Sequence, residues 1–555
     1  MNMSMIEPTG RTVGAAPLFR QFADEIALVP LLNQMLRWDT RQTHGSPGER
    51  ILLLILDVLA GKSPLSRRAE RLVTTDVEVL IGAGRRPADF SDDSLGRALD
   101  KLARAEPAKV FSTLAMAAYA HEGIALGTGH WDSTSRTVYG TFDPPAEGPH
   151  PAYGPSKDRR PDLKQILMTL CVNREGVPLF GTVESGQRSD KTLNGEMSDR
   201  LVDALDPPQL QSLLYVADSA VVTGPNLTRF ATTGIPFLSR CPETFGVAGA
   251  AKSAAWAADN WHALGVMTDR PTAAQYWASE QTGRIGGRAY RLVVYRSNTL
   301  DSRRERTLDR EIQAQRRDLE RSARTVMTQE FACEADAQQA LDHWLSQVQP
   351  AWHHITGTIR SQTRHTRPGR PRKSAPLDDS VRTWHVEIAF GALDGIRRQR
   401  ELERRSTFVL ITTVPADRLS AAALLAESKG QVHVERHFHF VKDPLFVDAR
   451  FVKKPERVEA LGYVLLLACL LYSLLERRLR QSGVPVPPPS RRVLQRPTGH
   501  EVVRHLQSLQ VVRSDDGQRT IALATMLQPT LVAILEGLRM SPAVFTDPPR
   551  RESPD

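Results

Sequence analysis

One unbroken apolar run, Leu461 to Leu475 (LGYVLLLACLLYSLL), constrains the fold of this chain more than any other feature. Charges bracket it at Glu459, Glu476, Arg477 and Arg478. The run is too short to cross a bilayer comfortably, which takes about 20 residues. A helix that is apolar on every side has to be covered by protein on every side. The chain therefore needs a large, layered domain with this helix at its centre. Its 555 residues, 41% of them hydrophobic, are enough to build one. At roughly 100–200 residues per domain they imply about three domains, or one large domain with insertions.

Charge and cysteine content narrow the function classes. Lys and Arg number 72 against 63 Asp and Glu, a net +9 that favours polyanionic partners without identifying one. Cys171, Cys241, Cys333 and Cys469 are isolated, with no CxxC pair, which excludes a disulfide framework and a four-thiolate zinc site. Met1 to Gln21 lacks the apolar stretch of a secretory signal. A reducing, cytoplasmic setting without membrane contact is the expectation.

The spacing predicts helices over residues 15–120, including ERILLLILDVLAG after Pro47 and the capped SDDSLGRALDKLA, with no strand before residue 124. IALGTGHWDSTSRTVYGTF reads as a hairpin. QILMTLCVN, VPLFGTVES, LLYVAD and IPFLSRC read as strands, with helices around Thr192–Leu205 and PNLTRFATTG. That order suggests an α/β sheet domain. Residues 245–400 break the pattern, with a strand at YRLVVYRSN and a charged helix from Asp301 to Arg324. Ala351 to Ala375 carries six Lys and Arg and no acid, and reads as a flexible basic arm around RPGRPRK. FVLITTVP returns to a strand, Leu419–Glu427 and Gln431–Lys442 read as helical, and the chain ends in a small helical tail with a disordered Ser541–Asp555.

Three acids stand out by context: Asp132 in HWDST, Asp218 closing LLYVAD, and Glu435 in QVHVERHFHFVK. A carboxylate at the end of a buried strand is costly unless paired or holding a metal. Three converging carboxylates would suit Mg²⁺ or Mn²⁺, and two such ions about 3.5–4 Å apart serve phosphodiester chemistry. By spacing alone each acid could equally cap a helix or face solvent. His433, Glu435, His437 and His439 do not form a zinc-peptidase motif, which needs Glu directly after the first His of HExxH.

The segments DSTSRTVYG, SKDRRPDLKQILMTLCVNREGVPLFGTVESGQRSD, LLYVADSAVVTGPNL and VERHFHFVKDPLFVDARFVKKPERVEAL resemble, in this order, those of DDE-type insertion-sequence transposases. The resemblance covers most of residues 20–510. It implies a ribonuclease-H-like α/β core with an inserted, partly β-stranded domain between the second Asp and the catalytic Glu, and a helical N-terminal domain. The implied organisation is 1–120 for the helical, DNA-end-recognising domain, 121–244 and 406–482 for the two parts of the core, 245–405 for the insertion, and 483–555 for the tail.

The resemblance also implies the activity: metal-dependent DNA cleavage at the ends of an insertion sequence, followed by strand transfer. Asp132, Asp218 and Glu435 would be the catalytic metal ligands, with two Mg²⁺ ions that Mn²⁺ may replace. Double-stranded DNA would be the partner, a homodimer the active complex, and the bacterial nucleoid the location. The family pattern Tyr-x2-Arg-x3-Glu-x6-Lys is met at Glu435 and Lys442, while Ser428 and Gln431 stand where it has Tyr and Arg. Gln431 can donate a hydrogen bond but no bidentate, charge-assisted pair. Those departures leave a catalytically inactive DNA-binding descendant as the alternative, with a nuclease that cuts without joining behind it. No complete Gly-x4-Gly-Lys-Ser/Thr phosphate loop is present, since Leu56 stands where Gly61-Lys62-Ser63 would need its first glycine, in keeping with a reaction that needs no ATP. Arg367, Arg370, Arg372 and Lys373 resemble an AT-hook core able to enter a narrow minor groove. Trp256, Trp261 and Trp277 are candidates for stacking on a flipped base, and equally for core packing.

Overall fold

The computed structural model describes residues 10–39, 44–60, 72–142, 148–156, 160–267, 273–348, 351–365, 380–430, 434–435, 437–438, 454–487 and 498–549. The chain forms two compact units, one of residues 1–239 with 412–555 and the other of residues 240–411. The second unit is thus inserted, in chain order, between two stretches of the first.

The first unit contains the sheet that matters for function. Its strands are β2 (Thr128–Thr137), β3 (Gln165–Val172), β4 (Pro178–Ser185), β5 (Leu214–Ala217) and β6 (Phe237–Arg240), and they lie in the order β4-β3-β2-β5-β6. β2 pairs antiparallel with β3, and β3 with β4, whereas β2–β5 and β5–β6 are parallel. Numbered within the sheet this is 3-2-1-4-5, the ribonuclease-H-like arrangement. Every residue of β3 and β4 is buried, because helices cover the sheet.

The apolar run lies in helix Pro455–Ser482, which is longer than the run itself. This helix passes a length-and-composition test for crossing a membrane, yet 94% of its most apolar window is buried in the fold. It rests on β4 at two glycines. A Cβ on Gly462 would lie 2.6 Å from Val183, and one on Gly181 would lie 2.9 Å from Leu466. Tyr463 fixes the register by accepting a hydrogen bond from the Val183 amide (3.3 Å). Helix Pro107–Glu122 covers the same strand, and its Tyr119 hydroxyl donates to the Val177 carbonyl (2.9 Å).

Glu459, on the first turns of the core helix, gives a pH test of this packing. Burial, reinforced by Glu184 and Glu456, raises its pKa to about 7 from the usual 4.5. The folded state therefore keeps a proton that the unfolded chain releases above 4.5. Stability falls as pH rises from about 4.5 to about 7 through this group. Glu459→Gln removes that slope. Melting curves at pH 5 and pH 8 should show the variant gaining on wild type as pH rises; a constant offset would refute the assignment.

Several expectations are corrected. Residues 128–137 form one ten-residue strand rather than a hairpin. A strand precedes residue 124 after all: β1 (Gly10–Thr12) pairs with β13 (Gln510–Arg513), which pairs with β14 (Arg519–Ala522), so the C-terminal tail is not purely helical. Residues 543–546 are a helix whose Phe545 is fully buried, so the chain is ordered beyond Ser541.

The second unit carries β7 (His262–Val266), β8 (Gln275–Ile285), β9 (Arg288–Ser297) and β12 (Thr407–Thr412), ordered β12-β9-β8-β7. It also has a long antiparallel pair, β10 (His353–His365) with β11 (Ser380–Leu393). Much of the expected basic arm is therefore strand. Val386 and Ile388 of β11 pack on Ala337, Leu341 and Trp344 of helix Glu334–Val348 and on Ala323 of helix Asn298–Met327.

Candidate active site

The register of β2 and β5 sets the geometry. Gly129 pairs with Tyr215 and His130 with Val216 in parallel. Two residues further along, Asp132 comes level with Asp218, which continues β5 in extended conformation (φ −68°, ψ 178°). Adjacent strands lie about 4.8 Å apart, so the two carboxylates stand on neighbouring backbones at one height.

Each aspartate is oriented by its own backbone. Asp132 Oδ1 accepts from the Ser133 amide (2.7 Å), and Asp218 Oδ1 accepts from the Ala220 amide (3.0 Å), capping the short turn Ser219–Val221. Asp218 is exposed and Asp132 half-buried. The Tyr215 phenol senses both. Burial, then Cys171, Asp218 and Asp132 hold its pKa well above the usual value. Its hydroxyl donates to Asn194 Oδ1 (2.9 Å).

Polar residues around these acids support them. Ser133 donates its hydroxyl to Asp190, the first residue of helix Asp190–Ala204, which ties that helix to β2 beside Asp132. Gln165, 1% exposed, donates from Nε2 to the carbonyls of Gly186 (2.8 Å) and Pro155 (3.2 Å). A Cβ on Gly186 would fall 2.0 Å from the Gln165 carbonyl, so only glycine fits there.

Glu435 lies in helical backbone and is exposed, while Val434, His437 and Phe438 beside it are buried. His437 Nε2 meets the Gly176 carbonyl at 2.5 Å, in the turn joining β3 to β4. Helix Ala421–Gly430, just before Glu435, docks on β2 itself. Its Glu427, 6% exposed, lies 3.8 Å from Nε2 of the fully buried His130 and also pairs with Arg174. A Cβ on Gly430 would sit 2.8 Å from the His130 ring. Sequence reasoning missed His130 and Glu427; the HxD pair His130–Asp132, placed on one face by strand alternation, was the available signal. The structure thus sets Asp132 level with Asp218, and it docks the helix that precedes Glu435 on β2 at Glu427 and Gly430. Gln431, Lys442, Arg367, Arg370, Arg372 and Lys373 lie outside the described residues.

All-carboxylate oxygen donors at Asp132, Asp218 and Glu435 are the chemistry that hard divalent cations take. By contrast the cluster Glu25, His121 and Glu122, whose ligand atoms lie within 4.8 Å of one another, has both its carboxylates engaged by arginine, Glu122 by Arg477 and Arg478 and Glu25 by Arg478. In the second unit the three candidate tryptophans converge on one cation. The Arg296 guanidinium lies 5.4 Å from the Trp256 ring and 4.9 Å from those of Trp261 and Trp277, and Trp256 meets Trp261 edge-on at 5.0 Å. They pack as a half-buried cluster around it.

No curated protein matches the chain. Residues 10–116 match a domain of unknown function, DUF4277. A solved structure, the piggyBac transposase synaptic complex with hairpin DNA, is similar at 8% identity and a TM-score of 0.35, covering 90% of this chain and 82% of that one. The transposase DDE domain family matches residues 131–471, which include Asp132, Asp218 and Glu435. The chain belongs to the DDE transposases.

Proposed function

We propose that the protein cuts DNA at the ends of an insertion sequence and transfers the freed strand to a target, using Mg²⁺ or Mn²⁺. The observation that carries this reading is the β2–β5 register, which sets Asp132 level with Asp218 in a DDE-family chain. Asp132, Asp218 and Glu435 would hold the ions. When bound, such ions supply charge stabilisation and activate the attacking oxygen in phosphodiester exchange. The chain's own residues then do three things. The aspartates present oxygens on rigid backbone, with one oxygen of each already held by an amide. The His130–Glu427 contact and the packing of Gly430 fix the approach of the Glu435 segment to β2. Lys442, with the neutral hydrogen-bond donor Gln431, would contact phosphates near the scissile bond, and Arg367, Arg370, Arg372 and Lys373 would bind along the groove. The helices before residue 120 would recognise the element end, and a homodimer at the nucleoid would hold both ends.

The test is incubation of purified protein and Mg²⁺ with a fragment carrying the element's ends. Cleavage followed by joining supports the reading. Binding without cleavage in either metal points to an inactive descendant, for which Ser428 and Gln431 at the Tyr and Arg positions are the motivating residues. Cutting without joining points to a nuclease.

A further inference from the structure

Helix Asn298–Met327 carries both signs of charge, and the fold sorts them. Its packed face is Leu308, Ile312, Leu319 and Ala323, all buried. At the angular step of an α-helix, Arg306, Arg310, Arg317, Arg321 and Arg324 fall on the opposite face, within about 60° of arc. All five are exposed. The acids flank this stripe and are engaged by other groups. Arg398 donates to Glu305 (2.8 Å) and Asp309 (2.9 Å), Arg405 to Glu311 (2.7 Å), and Arg316 to Glu320 (2.6 Å). Asp318 approaches the stripe, 3.5 Å from Arg321, whose side chain is 81% exposed. Arg310 and Arg317 direct their Nε atoms at the helix carbonyls of Arg306 (3.2 Å) and Gln313 (3.3 Å).

A merely solvated helix face gains by alternating its charges at i,i+4. This face sets like charges four apart at Arg317 and Arg321. Such a pair repels weakly, and a polyanion laid along the face relieves the repulsion. From Arg306 to Arg324 the stripe runs about 27 Å, or roughly eight base pairs of duplex at 3.4 Å per step. Guanidinium groups match phosphate oxygens in forked geometry.

We propose that this arginine stripe is a docking surface for the phosphate backbone of duplex DNA. The proposal rests on the DNA-acting reading above and adds a contact surface on the inserted unit that is separate from the basic RPGRPRK segment. It is read by titrating the full-length protein with a labelled 40-base-pair duplex of arbitrary sequence across a series of KCl concentrations. The triple variant Arg310→Gln, Arg317→Gln, Arg324→Gln should flatten the log–log salt dependence by about 2.7, at about 0.9 per lost phosphate contact. The matching triple Lys variant should restore most of the slope, because it keeps the charge. Since the three side chains are exposed, both variants should melt as wild type does. A Gln triple that parallels wild type, while wild type binds duplex, overturns the stripe and leaves the DNA reading standing. Wild type that binds no duplex overturns the DNA reading itself, and the stripe with it.

Discussion

Asp218→Asn should lower Mg²⁺-dependent cleavage by about three orders of magnitude while leaving the melting temperature and duplex binding close to wild type. The size follows from asking one metal ligand to supply about 4 kcal/mol of transition-state stabilisation, at about 1.4 kcal/mol per decade of rate. The clean fold follows from the geometry. Asp218 is exposed, and its structural task is to accept the Ala220 amide hydrogen bond (3.0 Å), which an Asn oxygen can still do. Asp132→Asn should have the same effect, because the proposed metal site takes one ligand from each of two residues that stand level on neighbouring strands. Mn²⁺ titration supplies a second readout, in which each variant should bind the ion more weakly than wild type. Full cleavage by Asp218→Asn would remove it from the site, whatever the register suggests. Loss of activity together with a collapsed melting temperature would assign the effect to folding instead.

The parts of this site that were legible in the sequence were those carried by short contiguous signals. Asp218 closes the short apolar run LLYVA, and Asp132 follows Trp131 in a Thr- and Ser-rich stretch. The strand β2 was nevertheless misread as a hairpin. Its burial on both faces removes the alternation that marks a half-exposed strand, and its Thr and Ser residues imitate a turn. β10 was hidden for a different reason. It stands largely exposed in a two-stranded pair, so its composition is that of a linker, with Arg360 and Arg364 facing water. Strands of three or four residues such as β1 and β13 are below any periodic signal, and their partners lie some 500 residues apart in the chain. The His130–Glu427 contact was invisible for the same reason of distance: the His130–Asp132 spacing hints at His130 alone, Glu427 has no local pattern, and only the fold brings the helix before Glu435 onto β2. The arginine stripe illustrates the converse. In sequence the helix is simply charged; placing its residues on the cylinder gathers five arginines on the face opposite Leu308 and Ile312.

Arg477→Ala is expected to destabilise the first unit by about 3–5 kcal/mol, the usual cost of breaking a buried ion pair by removing one partner. Arg477 is 7% exposed, on the core helix. Its Nη1 donates to Glu122 Oε2 (2.9 Å) and its Nε to Glu175 Oε2 (2.7 Å). Next to it, Arg478 donates to Glu25 (2.7 Å) and also to Glu122, with its guanidinium 4.3 Å from the Phe22 ring centre. Truncating Arg477 leaves Glu122, itself 7% exposed at the side chain, with one arginine in place of two. For a unit of this size the loss should lower the melting temperature by roughly 4–6 °C. Arg477→Lys should recover little of it, because an ammonium cannot bridge two carboxylates as a planar fork does. Joining Arg477→Met with Glu122→Gln should recover much of it, since removing both members of a buried pair is often close to neutral. A melting temperature for Arg477→Ala within about 1 °C of wild type would show that the network is worth no more than surface pairs. The network also bears on the site. Glu122 ends the helix that leads into β2, and Glu175 sits in the β3–β4 turn whose Gly176 carbonyl meets His437. Loosening Arg477 therefore releases the core helix from both the strand of Asp132 and the turn that seats the Glu435 segment. Cleavage by Arg477→Ala should accordingly fall at temperatures well below its melting point, while the paired Met/Gln variant should keep it.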